Sequence, residues 1–178
     1  MAFKSKGDKM TTINLDSWEN SKKTKEAWEN LVKAKLQWKP LTPTAKGPQK
    51  AHTEDAAWDL YADTPEHPIH IDPGQTVIIP TGLAIMPPEG WCCDIRGRSG
   101  MNSKGKLAIL GLVDSFYTGP WGVVVHNSTD TTILFSHHDK IAQFTVQRVW
   151  SSELVRVEEF DLKENARGTG GFGSSGAK

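Results

Sequence analysis

The chain reads as an all-β protein, a sandwich or barrel of jelly-roll type. Three observations predict it. Runs rich in β-branched and aromatic residues are short and recur at near-regular spacing from residue 58 to residue 157. Pro and Gly punctuate them, and no helical periodicity lies between them. The 178 residues suffice for one domain with a real core and an appendage.

Taken in order, residues 1–50 form an N-terminal extension. Its first 13 residues carry no apolar pattern and are expected to be disordered. Asp16, with Glu19 three residues later, has the form of a capping box. Trp28, Leu31, Val32 and Leu36 then fall on one helical face, which predicts a helix over 16–35 that docks on the body or on a neighbouring subunit. Trp18, Trp28 and Trp38 are evenly spaced, but ten residues is not a helical repeat. Pro40, Pro43, Gly47 and Pro48 end the helix in a linker. The extension holds 11 Lys against 5 Asp and Glu, a balance of +6. Because the whole chain has 21 of each sign, the remainder carries −6. A solvated extension explains the excess; no DNA binding is expected, and a regulatory protein partner is the alternative use of such a segment.

Residues 51–164 form the β domain. Strands are expected at 58–61, 76–79, 83–86, 91–95, 131–135, 141–146 and 154–157. The apolar runs 107–110 and 121–125 flank a Gly-containing stretch and read as a β-hairpin whose tip presents Asp114 and Tyr117. A turn Asp is common for its own hydrogen-bonding reasons, so that tip alone does not establish chemistry. His137 and His138 are expected on opposite faces of a strand, not as a metal site. Residues 165–178 are a Gly- and Ser-rich arm expected to be flexible. Arg167 and Phe172 stand out within it, since a guanidinium can fork onto phosphate and a ring can stack on a base.

The only cysteines, Cys92 and Cys93, are neighbours that point to opposite strand faces, so no disulfide framework or zinc cage is expected. That suits a reducing compartment. With no secretory apolar core at the N-terminus and no run of membrane-spanning length, a cytoplasmic protein, or one in the host cytoplasm if viral, is expected.

Five stretches stand in a fixed order: 56–62 around Asp59, Arg98-Ser99-Gly100, 111–119 around Asp114, 139–143 ending in Gln143, and 167–176 with Arg167 and Phe172. Together they resemble the five motifs of the trimeric dUTPases, the deoxyuridine triphosphate nucleotidohydrolases. The fifth is nearly a full match and the third is strong. The resemblance implies a jelly-roll (β-clip) subunit and a homotrimer with active sites at its interfaces. The implied arm closes over a neighbour's site, and the implied reaction converts dUTP and water to dUMP and pyrophosphate with Mg2+ on the triphosphate. It implies Asp114 as the base that holds the attacking water and Tyr117 as the ring that excludes a ribose hydroxyl. Arg98, Ser99, Gly100 and Gln143 are implied as phosphate contacts, and Asp59 as a metal contact through water. Arg167 is implied to clamp the terminal phosphates, Phe172 to stack on uracil, and Gly173, Ser174 and Ser175 to donate hydrogen bonds. Backbone around Leu110 and Gly111 would read the base.

The chain departs from common family patterns at Ala57-Trp58, at Lys140 and at Ala108. A deaminase of the same fold would carry a Glu ten residues after Asp114 and an Arg five residues after Arg98. This chain has Val124 and Ser103 there. A non-catalytic regulator on the same scaffold is the alternative from another class, and pyrophosphate release separates it from an enzyme.

Overall fold

The computed structural model describes residues 33–108, 111–150 and 152–159. Within them the chain runs β1 (Gln37–Pro40), β2 (Trp58–Tyr61), β3 (Ile69–Ile71), β4 (Thr76–Pro80), β5 (Leu83–Met86) and β6 (Trp91–Arg96). A short helix α1 (Ser99–Asn102) follows, then β7 (Lys106–Ala108), β8 (Gly111–Val113), β9 (Gly122–Asn127), β10 (Ile133–Phe135) and β11 (Lys140–Arg148). The strands form a four-stranded sheet in the order β2-β11-β6-β8 and a three-stranded sheet β4-β9-β7, with ribbons β1-β5 and β10-β3. Their pairings are antiparallel.

Alternation along the strands builds the core. On β9, Val123, Val125 and Asn127 are buried while Gly122, Val124 and His126 are half-buried. The buried faces meet in one cluster that includes Leu60, Ile71, Ile79, Leu83, Ile85, Cys93, Phe135, Ile141 and Phe144. Trp121 meets Phe144 edge-on, with centroids 5.2 Å apart. Like Thr81, Asn127 is a fully buried polar residue beside this core. Its Nδ2 donates to Ile71 O and Thr131 O at 2.8 Å each, and its Oδ1 accepts from Thr129 N and Thr129 Oγ1. The full set of partners is what makes its burial tolerable.

Several expectations need correction. The segment 33–35, expected to finish the helix, is not helical, and 16–32 lie outside the described residues. A strand not expected from sequence, β1, runs into the linker's first residue and pairs with β5 from Gln37↔Met86 to Pro40↔Leu83. The linker is tied down further on, where Thr44 Oγ1 donates to Asp63 Oδ1 at 2.7 Å and His138 Nε2 meets Thr44 O at 2.8 Å. Prolines hid the strand, yet Pro40 ends it, a position where a missing N–H is tolerated. Trp38 on β1 lies over Gly47, where a Cβ would come within 2.8 Å of the indole. Residues 154–157 are not a strand: Leu154 is 100 % exposed and Val155 68 %, because no strand among the described residues pairs with them. His137 and His138 sit in a turn, not on a strand, and their rings stack with centroids 3.7 Å apart. His138 reaches this arrangement with a left-handed φ of 67°.

The central hairpin is the most informative correction. Its flanks do pair, Lys106↔Asn127 to Ala108↔Val125. The chain between them does not turn straight back. Gly111–Val113 crosses to the other sheet and pairs with β6, Cys93↔Val113 to Ile95↔Gly111. Asp114 therefore lies just past the end of an edge strand.

Candidate active site

Two groups of candidate site residues lie toward opposite edges of the four-stranded sheet, β2 and β8. The first is cationic. Asp59 on β2 pairs in register with Gln143 on β11, which pairs with Arg96 on β6. Just beyond, the chain turns through Gly97 and Arg98 into α1. Asp59 is 8 % exposed, and both of its oxygens are engaged. Arg98 Nε lies 3.0 Å from Oδ1 and Lys140 Nζ lies 2.7 Å from Oδ2. Gln143 Nε2 donates to Gly97 O at 3.3 Å, which fixes the loop that carries Arg98 and Ser99. Ser99 and Gly100 are exposed, and a Cβ built on Gly100 would meet nothing within 4 Å. Arg96 is held apart by Asp94, at 2.7 Å. Arg98 and Lys140 against Asp59 leave this group a net +1, with the exposed start of α1 beside it.

The second group surrounds a cavity of about 330 Å³ lined by Ile95, residues 111–114, Tyr117 and residues 120–122. Asp114 is exposed at its edge. The turn that follows is built to hold Tyr117. Ser115 Oγ donates to Trp91 O at 2.7 Å. Phe116 takes a left-handed φ of 64° while its N–H donates to Pro87 O at 2.9 Å. That conformation is costly for a large side chain. Tyr117 N–H donates to Asp114 O at 3.3 Å, and the Tyr117 ring occupies the space that a Cβ on Gly119 would need. A Cβ on Gly111 would make only ordinary contact with Ile95, so packing among the described residues does not demand that glycine. Trp121 Nε1 is buried at the same cavity with no hydrogen-bond partner among the described residues.

The register measures the gap between the groups. Val113 lies opposite Cys93, so Asp114 lies level with Cys92. Burial, then the nearby Asp114 carboxylate, then Asp94, push the Cys92 thiol pKa up. From Cys92 to the row of Arg96, Gln143 and Asp59 is four residues, roughly 13 Å along the strand. Across the sheet, three inter-strand steps separate β2 from β8, roughly 14 Å. Asp114 and Asp59 are thus on the order of 19 Å apart in one chain.

Of the site residues expected from sequence, Asp59, Arg98 and Gln143 come together with Ser99 and Gly100 beside them, while Gly111, Asp114 and Tyr117 come together elsewhere. Leu110, Arg167, Phe172, Gly173, Ser174 and Ser175 lie outside the described residues, as does most of the extension expected to meet a regulatory partner. Lys140 was missed as a member of the cationic group. The available signal was its place three residues before Gln143, at the head of the same strand. No group of three or more His, Cys, Asp or Glu able to hold a metal occurs among the described residues. Asp59 nonetheless suits contact with a hydrated cation, since a carboxylate has about four lone-pair sites and two ion pairs leave some of them open. Among the described residues no helix is long and apolar enough to cross a membrane.

Known structures place this architecture among the β-clip jelly rolls of nucleotide hydrolases. The chain aligns with the Staphylococcus bacteriophage 80alpha dUTPase with dUPNHPP at a TM-score of 0.71 and 28% identity, over 80% of this chain and 99% of that one. It aligns with a mutant dUTPase from phage phi11 of S. aureus, described with a structural Mg(II) ion, at a TM-score of 0.65 and 25% identity, over 71% and 99%. The dUTPase family model matches residues 44–176, and the chain belongs to that family. A deoxyuridine 5'-triphosphate nucleotidohydrolase of Mycolicibacterium gilvum is 40% identical over 143 residues, 76% of this chain and 91% of that protein. The protein of the same description from Mycobacterium leprae is 41% identical over the same length and shares.

Proposed function

We propose that this protein hydrolyses dUTP to dUMP and pyrophosphate, as a homotrimer whose sites are each built by more than one subunit. One observation carries the reading. The cationic group and the Asp114–Tyr117 group are both intact, yet on the order of 19 Å of sheet separates them. A base must sit within hydrogen-bond reach of the water it activates, and that water must lie against the α-phosphorus. One chain cannot bring Asp114 to a phosphate held by Arg98. Two copies can, each supplying one end of its sheet. Exposed Leu112, Phe116, Leu154, Val155 and Val157 offer apolar surface for such contacts.

In this reading Asp114 orients a water molecule and takes its proton. The water oxygen bonds to the α-phosphorus while the bond to the α–β bridging oxygen breaks, and pyrophosphate leaves with that electron pair. Arg98, Ser99, Gly100 and Gln143 contact the phosphates and stabilise the charge that builds on the leaving group. Tyr117, fixed by its turn, packs on the deoxyribose and leaves no room for a 2′-hydroxyl. Backbone at Leu110 and Gly111 reads uracil, where a side chain on residue 111 would intrude. Arg167, Phe172, Gly173, Ser174 and Ser175 close over the nucleotide from the arm. Mg2+ bound to the triphosphate oxygens, reached by Asp59 through water, would neutralise charge and set the phosphate conformation. A cytoplasmic setting suits this substrate.

Hydrolysis in 18O-labelled water tests the chemistry. The label should appear in dUMP and not in pyrophosphate. Label in pyrophosphate, or no turnover of dUTP, overturns the reading.

A further inference from the structure

We propose that Lys140 is a positioning residue for triphosphate binding, acting through Asp59 on Arg98. The inference rests on the dUTP reading above and deepens it. Asp59 is nearly buried and lies between two cations, with Arg98 Nε 3.0 Å from one oxygen and Lys140 Nζ 2.7 Å from the other. The two cationic side chains remain about one third exposed, 34% for Arg98 and 37% for Lys140. The contact uses the Nε of Arg98, which leaves the guanidinium's Nη edge able to fork onto a phosphate.

The charges decide what Lys140 does. Asp59 must hold the arginine to orient it, but a lone carboxylate also cancels the arginine's charge. A bare Asp59–Arg98 pair is neutral and attracts a polyanion weakly. With Lys140 on the second oxygen the triad carries a net +1. Asp59 is then neutralised by Lys140, and Arg98 is aimed without losing its pull on phosphate. Lys140 need not touch the nucleotide to do this. It sits at the head of β11, the strand that also delivers Gln143, so one strand sets both the charge of the arginine and the position of its loop.

The test compares Lys140→Met, Lys140→Gln and Lys140→Arg with the parent. Binding of inorganic tripolyphosphate, without Mg2+, is measured by calorimetry, and kcat and KM for dUTP are measured with Mg2+. Both neutral variants should weaken tripolyphosphate binding roughly tenfold and raise KM by a similar factor while kcat changes little. Lys140→Arg should restore both. A structural role alone would lower the melting temperature without this split. The inference is overturned if a folded neutral variant binds tripolyphosphate as the parent does, or if Lys140→Arg is as weak as Lys140→Met. Absence of dUTP turnover in the parent would sink the reading it rests on, and the tripolyphosphate comparison would still decide the role of Lys140. Two neutral variants of different polarity guard against one that fails to fold.

Discussion

If every site takes Asp114 from one subunit and Arg98 from another, two inactive variants should rescue each other. Asp114→Asn removes the base and leaves Arg98 intact. Arg98→Ala removes the phosphate clamp and leaves Asp114 intact. Each alone should lose turnover by on the order of 10²-fold or more. Mixed in equal amounts and allowed to exchange subunits, they form sites at random. A working site needs its Asp114 from an Arg98→Ala chain and its Arg98 from an Asp114→Asn chain, one chance in two for each. About one quarter of all sites should therefore be complete, and activity should return to about one quarter of the parent. The need for two chains follows from the sheet: Asp114 is level with Cys92, while Asp59 and Gln143 share a row with Arg96, so the two groups cannot meet within one chain. The assay is pyrophosphate release after refolding the mixture from denaturant, with each variant refolded alone as control. Recovery no greater than the sum of the controls would refute the split site.

Other expectations can be checked separately. Asp114→Asn should keep nucleotide affinity in calorimetry while kcat falls on the order of 10²-fold; near-normal kcat would reject it as the base. Removing residues 166–178 should leave the sedimentation coefficient that of a trimer and abolish efficient turnover, whereas a monomeric product would make the arm structural. Asn127→Ala removes the buried donor to Ile71 O and frees the half-buried Thr129, while Thr131 O keeps its bond from Thr129 Oγ1, and should cost about 2 kcal/mol in urea unfolding. Burial pushes the Cys93 thiol up to about 12, from 9.0 in the unfolded chain. The folded state thus disfavours the thiolate, so this contribution is complete below pH 9 and is lost as pH rises toward 12. Cys93→Ala should flatten the alkaline limb of a stability–pH curve, and an unchanged limb would contradict the burial argument.

The β architecture was legible because its signal is local. Alternation and turn residues mark 58–61, 76–79, 83–86 and 91–95, and each contains most of an observed strand. The features without a local signal depend on partners distant in sequence. Gln37–Pro40 has no strong β pattern and becomes a strand only because the edge of β5 is available to it. Residues 154–157 have the pattern but no partner strand among the described residues. Gly111–Val113 looked like part of a turn because a switch between sheets leaves no periodicity to read. The candidate site residues were named by type and order through the resemblance, which also implied sites at subunit interfaces, but how they divide into two groups within one chain was not legible. Distance across a sheet comes from register, which a sequence does not print. Lys140 was legible only as a departure from the family pattern, since its importance is its contact with Asp59, some 80 positions earlier in the chain.

The most direct measurement is pyrophosphate release with Mg2+ across dUTP, dCTP, dTTP and UTP. The account predicts rapid release from dUTP, with each of the other three slower by on the order of 10²-fold or more. Comparable rates across the four nucleotides, or no release from dUTP, would contradict it.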